Sequence, residues 1–237
     1  MQPAFYWNIV QQIGGRYFMV AGAAFFIAYI LFRKQLTPSK IQLRYPLVKD
    51  YIREIGFSLL TIGIFACIPL LLIKNDSIRP YTRYYRDIGQ YGRLYFGLAF
   101  LIMLFLHDTY FYWIHRLMHH PKLFTLFHLV HHRSTNPSPW AAYAFHPLEA
   151  ILEGGIVALF LFTMPMHRYH LSFFFFFMIV YNVYGHLGWE IFPKGIQRHW
   201  LGKWINTGIH HNHHHQYFKG NYGLYFLFWD RWMGTLR

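Results

Sequence analysis

Histidine recurs in this chain in three groups, each at the spacing of a helical turn. They are His115 and His119; His128, His131 and His132; and the run His210, His211, His213, His214 and His215. Residues i, i+3 and i+4 share one face of an α-helix, so each group can aim two or three imidazoles at one point. Neutral imidazole is the commonest protein metal ligand, and the pattern points to a multi-histidine metal site. So many imidazoles exceed what one zinc ion takes, which implies two metals. The third run fits two registers, His210/His213/His214 and His211/His214/His215, and periodicity does not choose between them. Carboxylates are scarce: Asp108, Glu149, Glu153, Glu190 and Asp230 are the only acidic residues after Asp87. That excludes the Glu-rich bundle pattern of dimetal carboxylate proteins and disfavours the oxygen-seeking ions magnesium and calcium. Zinc and iron both suit imidazole. Asp108, Glu149, Glu190 and Asp230 are better placed as acceptors for imidazole N–H groups than as ligands.

The remaining histidines carry less signal. His167, His170 and His199 stand alone and read as ordinary core or surface residues. His107 and His120 lie near the first group but off its best face. His146 and His186 flank a long apolar stretch, and both can point toward the site.

Elements that deliver these groups must be sought in a chain that is 55% hydrophobic, 22% aromatic and only 13% charged. Soluble domains are roughly 25% charged. The apolar residues fall in blocks, so the class is an all-α, polytopic membrane protein. Four regions read as spans: Tyr17 to Phe32, Gly56 to Ile73, Leu94 to Ile114, and Leu148 to Tyr184. The last is too long for one crossing at about 20 residues. Pro165, His167, Arg168 and His170 interrupt it, which predicts helices over 148–164 and 171–186 folded as a hairpin. The third span then delivers the first two histidine groups to one face, and the hairpin returns the chain there for the third. The loop after the first span carries Arg33, Lys34, Lys40, Arg44, Lys49 and Arg53, so that loop and the histidines are expected on the cytoplasmic side. The loop after the second span is basic as well, which weakens that contrast. Met1 to Arg16 lacks the charged n-region of a secretory signal, so the first span is expected to be retained.

The net charge of +13 is spread beside the apolar blocks and forms no single stripe, which excludes a nucleic-acid partner. The lone cysteine, Cys67, rules out an intrachain disulfide and a cysteine-held iron–sulfur cluster.

From Asp108 to Thr235 the chain resembles the fatty acid hydroxylase/sterol desaturase superfamily of membrane di-iron oxygenases, and its sterol desaturase-like members most. The resemblance rests on an ordered set of motifs. It runs from Asp108-x-x-Phe-Tyr-Trp-x-His-Arg-x-x-His-His-Pro and His-x-x-His-His to Ala144-Phe-His-Pro-Leu-Glu149. Asn182-x-x-Gly-His186 and Gly188-x-Glu190 follow, then a second His-x-x-His-His, Asn221-Tyr-Gly, and Trp229-Asp-x-x-x-Gly-Thr235. It implies about four transmembrane helices under a cytosolic helical cap. It implies one membrane-embedded domain over 1–237, with an N-terminal transmembrane region over 1–100 and a histidine-box region over 101–237. The implied ligands are His115, His119, His128, His131, His132, His186, His211, His214 and His215. The implied cofactors are two non-haem iron ions with O₂ as co-substrate. The implied reaction is hydroxylation or desaturation of a lipid drawn from the bilayer. The chain has no nucleotide-binding fingerprint and no fused cytochrome motif, so electrons are expected from a ferredoxin, a cytochrome b5 or a reductase.

Two other classes compete. A membrane zinc hydrolase is expected to carry His-Glu-x-x-His, which is absent, although Glu149 or Glu190 offers a base. A metal transporter is expected to place its ligands at mid-membrane on broken helices within repeats, and here the histidines sit at span ends without a repeat.

Overall fold

The computed structural model describes residues 3–237 and is mostly helical. α1 (Pro3–Phe25) runs on through a π-helical turn to Leu31. α2 (Val48–Ile73) and α3 (Gly92–Met118) follow, with a two-residue strand β1 (Tyr84–Tyr85) between them. Then come α4 (Pro121–Phe127) and α5 (Leu129–His132). Next are α6 (Pro147–Gly154), α7 (Ile156–Thr163), β2 (Met166–His167) and α8 (Arg168–Gly185). The chain closes with α9 (Gly208–Tyr217) and α10 (Phe228–Trp232).

Among the described residues, the segments Pro3–Leu31, Val48–Ile73 and Gly92–Met118 are long and apolar enough to cross a bilayer. Helices suit that solvent because they satisfy every backbone polar group internally. Large apolar side chains such as Leu59 and Leu60 on α2 and Leu101 and Phe105 on α3 face outward, as lipid contact requires.

Two helices begin well before the apolar blocks that announce them. α1 starts at Pro3 rather than Tyr17. Its early turns alternate exposed Asn8 and Gln11 with Phe5, Ile9 and Ile13, which face an internal cavity, so the segment is amphipathic rather than uniformly apolar. α2 starts at Val48 rather than Gly56 because its charged first turns are internally paired. Asp50 bonds Arg53 at 2.6 Å and accepts the Leu47 N–H at 3.0 Å. Glu54 is fully buried and accepts the hydroxyls of Ser134, at 2.7 Å, and Ser138.

The long fourth region folds out and back as expected, with a tighter turn. β2 pairs in parallel with β1, so the reversal occupies Met164–His167. Arg168 and His170 lie in the first turn of α8 rather than in the loop. His167 caps that helix by accepting the Tyr169 N–H at 3.2 Å, and His170 accepts the His167 N–H at 3.2 Å. At the tip, the Leu161 carbonyl accepts the Arg83 N–H at 2.7 Å. At the opposite end both feet of the hairpin reach the histidines: Glu149 bonds His128 and His186 meets His131.

The core that fixes this end packs Tyr17 and Ala21 of α1, Ile62 of α2, Ala142 and Tyr143, and Ile179 and Val183 of α8. The Trp140 carbonyl is held by the Tyr17 hydroxyl at 2.9 Å and the Ser58 hydroxyl at 3.0 Å. Segment 137–145 is thereby clamped onto both N-terminal helices.

Candidate metal centre

The histidines reach the centre from the C-terminal ends of α3 and α8, from the joint between α4 and α5, and from the short helix α9. α3 carries His115 in its last turn, and His119 is its C-cap. The His128 to His132 segment is not one helix: α4 stops at Phe127 and α5 starts at Leu129, so His128 sits at the joint. α9 is capped by Thr207 and ends at Phe218, whose φ of 63° turns the chain back. His186 caps the C-terminus of α8.

The nine residues gather into two compact sets. One ligand atom from each of His115, His119, His128, His132 and His214 lies within 4.8 Å of every other, and so do those of His131, His186, His211 and His215. Within the second set the Nε2 atoms of His211 and His186 are 3.1 Å apart, those of His215 and His186 3.1 Å, and those of His215 and His211 3.2 Å. His131 and His186 are 3.4 Å apart. In the first set His132 and His214 are 3.0 Å apart. Nitrogens bound at about 2.0–2.1 Å to a shared ion stand roughly 3.0–3.4 Å from one another, so the spacing fits a metal. The sets adjoin, with the His132 ring stacked on His215 at 4.9 Å between centroids.

Most rings are oriented through Nδ1, which turns Nε2 inward. His115 is held by the Tyr222 carbonyl at 2.9 Å, His214 by the Gly220 carbonyl at 2.7 Å and His215 by the Ser134 carbonyl at 3.0 Å. His186 is held by the Asn182 carbonyl at 2.7 Å and His128 by Glu149 Oε1 at 2.6 Å. Such outer partners set tautomer and basicity. Burial, and then neighbouring imidazoles, hold His128, His131, His132, His211, His214 and His215 well below the usual histidine pKa, and burial pushes His119 down to about 2. The rings are therefore neutral, the form that binds a cation. His119 Nε2 and His128 Nε2 are buried without a hydrogen-bond partner. An orphaned buried polar atom costs about 1–3 kcal/mol, which a bound metal would offset.

Of the two registers open for the third run, His211, His214 and His215 enter the sets. His210 instead accepts the Thr207 N–H at the start of α9, and His213 lies against Tyr217 outside both sets. His146 caps α6 by accepting the Leu148 N–H and does not enter. His120 likewise caps α4, and His107 bonds the Tyr225 hydroxyl at 3.0 Å.

Only one of the four carboxylates expected to accept imidazole N–H groups does so, namely Glu149. The other three hold backbone. Asp108 accepts the N–H groups of Tyr225 and Phe226, at 2.7 and 3.1 Å. Asp230 accepts those of Tyr222 and Gly223, at 2.9 and 2.8 Å. Glu190 accepts the Ile209 N–H and the Tyr184 hydroxyl. Asp108 and Asp230 fix the 220–226 loop whose carbonyls grip His115 and His214, and Glu190 fixes the start of α9, so all three act further out than their position in the motifs suggests. Glu54 was not legible as part of the centre. It reaches His215 through Ser134, and no spacing connects residues so far apart in sequence.

Gly220 shows how tight this outer layer is. Its φ is +77°, and a Cβ there would stand 2.3 Å from the Thr235 carbonyl. Gly220→Ala is expected to destabilise the fold by about 1–2 kcal/mol from backbone strain alone and to shift the carbonyl off His214. A lowered melting temperature together with reduced metal content checks this; an unchanged metal content would exclude the carbonyl as an orienting group.

Two openings lead inward. A cavity of about 700 Å³ among α1, α2, α3, α6, α7 and α8 reaches Phe145 and Asn182 beside the second set. A hollow of about 480 Å³ on the other side reaches His119 between Phe124, Phe218, Lys219 and Arg237.

Residues 100–235 match the fatty acid hydroxylase family. The chain is 32% identical over 185 residues to the Delta(7)-sterol 5(6)-desaturase ERG3B of Gibberella zeae, covering 78% of this chain and 55% of that protein. It is 30% identical over 187 residues to the lathosterol oxidase of Homo sapiens, covering 78% of this chain and 60% of that protein. The chain thus spans little more than half the length of these curated relatives. No solved structure matches it.

Proposed function

The chain belongs to the fatty acid hydroxylase family, and on that premise we propose that it is an integral-membrane di-iron oxygenase that hydroxylates or desaturates a lipid. The observation that supports this best is the pair of adjoining all-imidazole sets, neither containing a carboxylate. His115, His119, His128, His132 and His214 would hold one iron, and His131, His186, His211 and His215 the other. Iron bound there supplies O₂ activation and the oxidising power to break an unactivated C–H bond. The chain's own part is to orient the imidazoles through the carbonyls and Glu149, and to admit a hydrocarbon through an apolar cavity that keeps water out. Hydroxylation and desaturation both begin at the same C–H bond, so the geometry serves either.

α6 with α7, and α8, pack as an out-and-back hairpin that completes the membrane bundle begun by α1, α2 and α3, with the histidine-bearing segments as a cytoplasmic cap and residues 1–237 as one domain. Lys219 and Arg237 beside the His119 hollow would steer an acidic electron donor such as a ferredoxin or cytochrome b5. The zinc hydrolase reading has less support, because the chain has no His-Glu-x-x-His, Glu149 is committed to His128 and Glu190 to the start of α9.

Metal analysis after anaerobic iron loading, followed by exposure to O₂, tests the reading. Two irons per chain with an O₂-dependent optical change are expected. Tightly bound zinc with no response to O₂ would refute it.

A further inference from the structure

The 700 Å³ cavity has two chemically different ends. Near the histidines its wall is Phe111, Phe145 and Asn182. At the opposite end it is lined by Lys74, Arg79, Arg86 and Arg168, with Arg16 about one helical turn further in, on Ser172. None of these five cations has a carboxylate within 4.0 Å; the ion pairs among the described residues are Arg53–Asp50 and His128–Glu149. The one carboxylate in the lining, Glu153, is a single helical turn beyond Glu149 and so belongs to the histidine end. From Arg168 to Asn182 along α8 is about 21 Å at 1.5 Å per residue. The wall between is apolar, with Ile68, Val157, Phe175 and Met178.

Arg16 makes the point most sharply. It lies within a helix apolar enough to cross a bilayer, half-buried, and its guanidinium reaches only the Ser172 carbonyl, at 3.0 Å, and hydroxyl, at 2.6 Å. Both acceptors are neutral, so the charge stays uncompensated in a medium where that is costly. The arginines of the loop after α2 also sit opposite the histidine side, where the positive-inside rule gives them no topological role.

We propose that the cavity binds a long-chain amphiphile with an anionic head, a carboxylate or phosphate. The head lies among Arg16, Lys74, Arg79, Arg86 and Arg168, and the hydrocarbon chain runs toward the histidines. This rests on the oxygenase reading and names its substrate class. A sterol, the substrate in the name of the Gibberella zeae relative, carries a neutral hydroxyl, which makes no use of five cations. Guanidinium groups match carboxylate and phosphate oxygens in pairs. The carbon presented to the centre then lies far from the head, deep along the chain.

Photo-crosslinking of the purified full chain in neutral detergent tests this, with metal-loaded and metal-stripped samples run in parallel. The probes are a fatty acid with a diazirine near its chain end, the alkyl phosphate of the same chain, the acid's methyl ester, and a diazirine sterol. Peptide mapping is expected to place the acid and phosphate labels on Phe111, Phe145, Phe175 or Met178, with the ester about tenfold weaker. Arg86→Glu with Arg168→Glu, both exposed side chains, is expected to cut acid labelling about tenfold, while Arg133→Glu with Arg198→Glu leaves it unchanged. Equal labelling by acid and ester, or stronger labelling of the same residues by the sterol, overturns the proposal. Acid labelling that persists in a protein that never takes up iron would instead leave this site standing and remove the oxygenase reading.

Discussion

His214→Ala is expected to abolish turnover and cut bound metal to half the wild-type content or less, with normal membrane insertion. His214 is fully buried, its Nδ1 is fixed by the Gly220 carbonyl at 2.7 Å, and its Nε2 stands 3.0 Å from that of His132. Its loss removes one donor from a set of five and strands the His132 nitrogen in a cavity without a partner. Binding free energy of a metal is also folding free energy, so the variant should melt earlier as well. Elemental analysis of the detergent-extracted protein, beside an activity assay, reads both effects. His199→Ala is the control, since that ring is exposed and only accepts the Leu201 N–H. Full activity and full metal in His214→Ala would dissolve the ligand assignment for the first set.

Glu149→Gln is expected to weaken iron binding or activity by about 10–100-fold, the usual cost of losing a partner that orients a ligand. Glu149 is fully buried and its Oε1 lies 2.6 Å from His128 Nδ1. The amide keeps the volume and one acceptor oxygen but removes the charge that makes the imidazole a stronger donor. Glu149→Ala should cost more, because it also leaves the His128 N–H unpaired in the interior. Competition for iron against a chelator of known affinity separates the three proteins. Wild-type affinity in the Gln variant would mean that the carboxylate only fills space.

The histidines were legible because ligands recur at helical spacing; α3 and α9 carry them so, while the second group keeps the spacing across the joint between α4 and α5. The choice of register was not in the periodicity, since both triplets of the third run fit. It depends on where Thr207 caps α9, and that turns His210 away. The spans were legible where lipid demands uniformly apolar faces. They were hidden in the first turns of α1 and α2, where polar side chains either line an amphipathic face or pair with each other. The motif carboxylates were visible as residues, but their partners were not. Asp108 and Asp230 grip loop backbone more than a hundred residues, and seven or eight residues, away respectively. Hydrogen bonds to main chain leave no mark in side-chain spacing.

The two hollows that reach the histidines differ in their walls. One runs between the long helices past Phe65, Ile68 and Phe175; the other meets His119 beside Lys219 and Arg237. An electron donor docked beside Lys219 and Arg237 and an oily molecule in the cavity would then not compete for a shared doorway. Reduction can precede loading or follow it without a steric block, so steady-state kinetics should follow a random order of addition rather than a compulsory one.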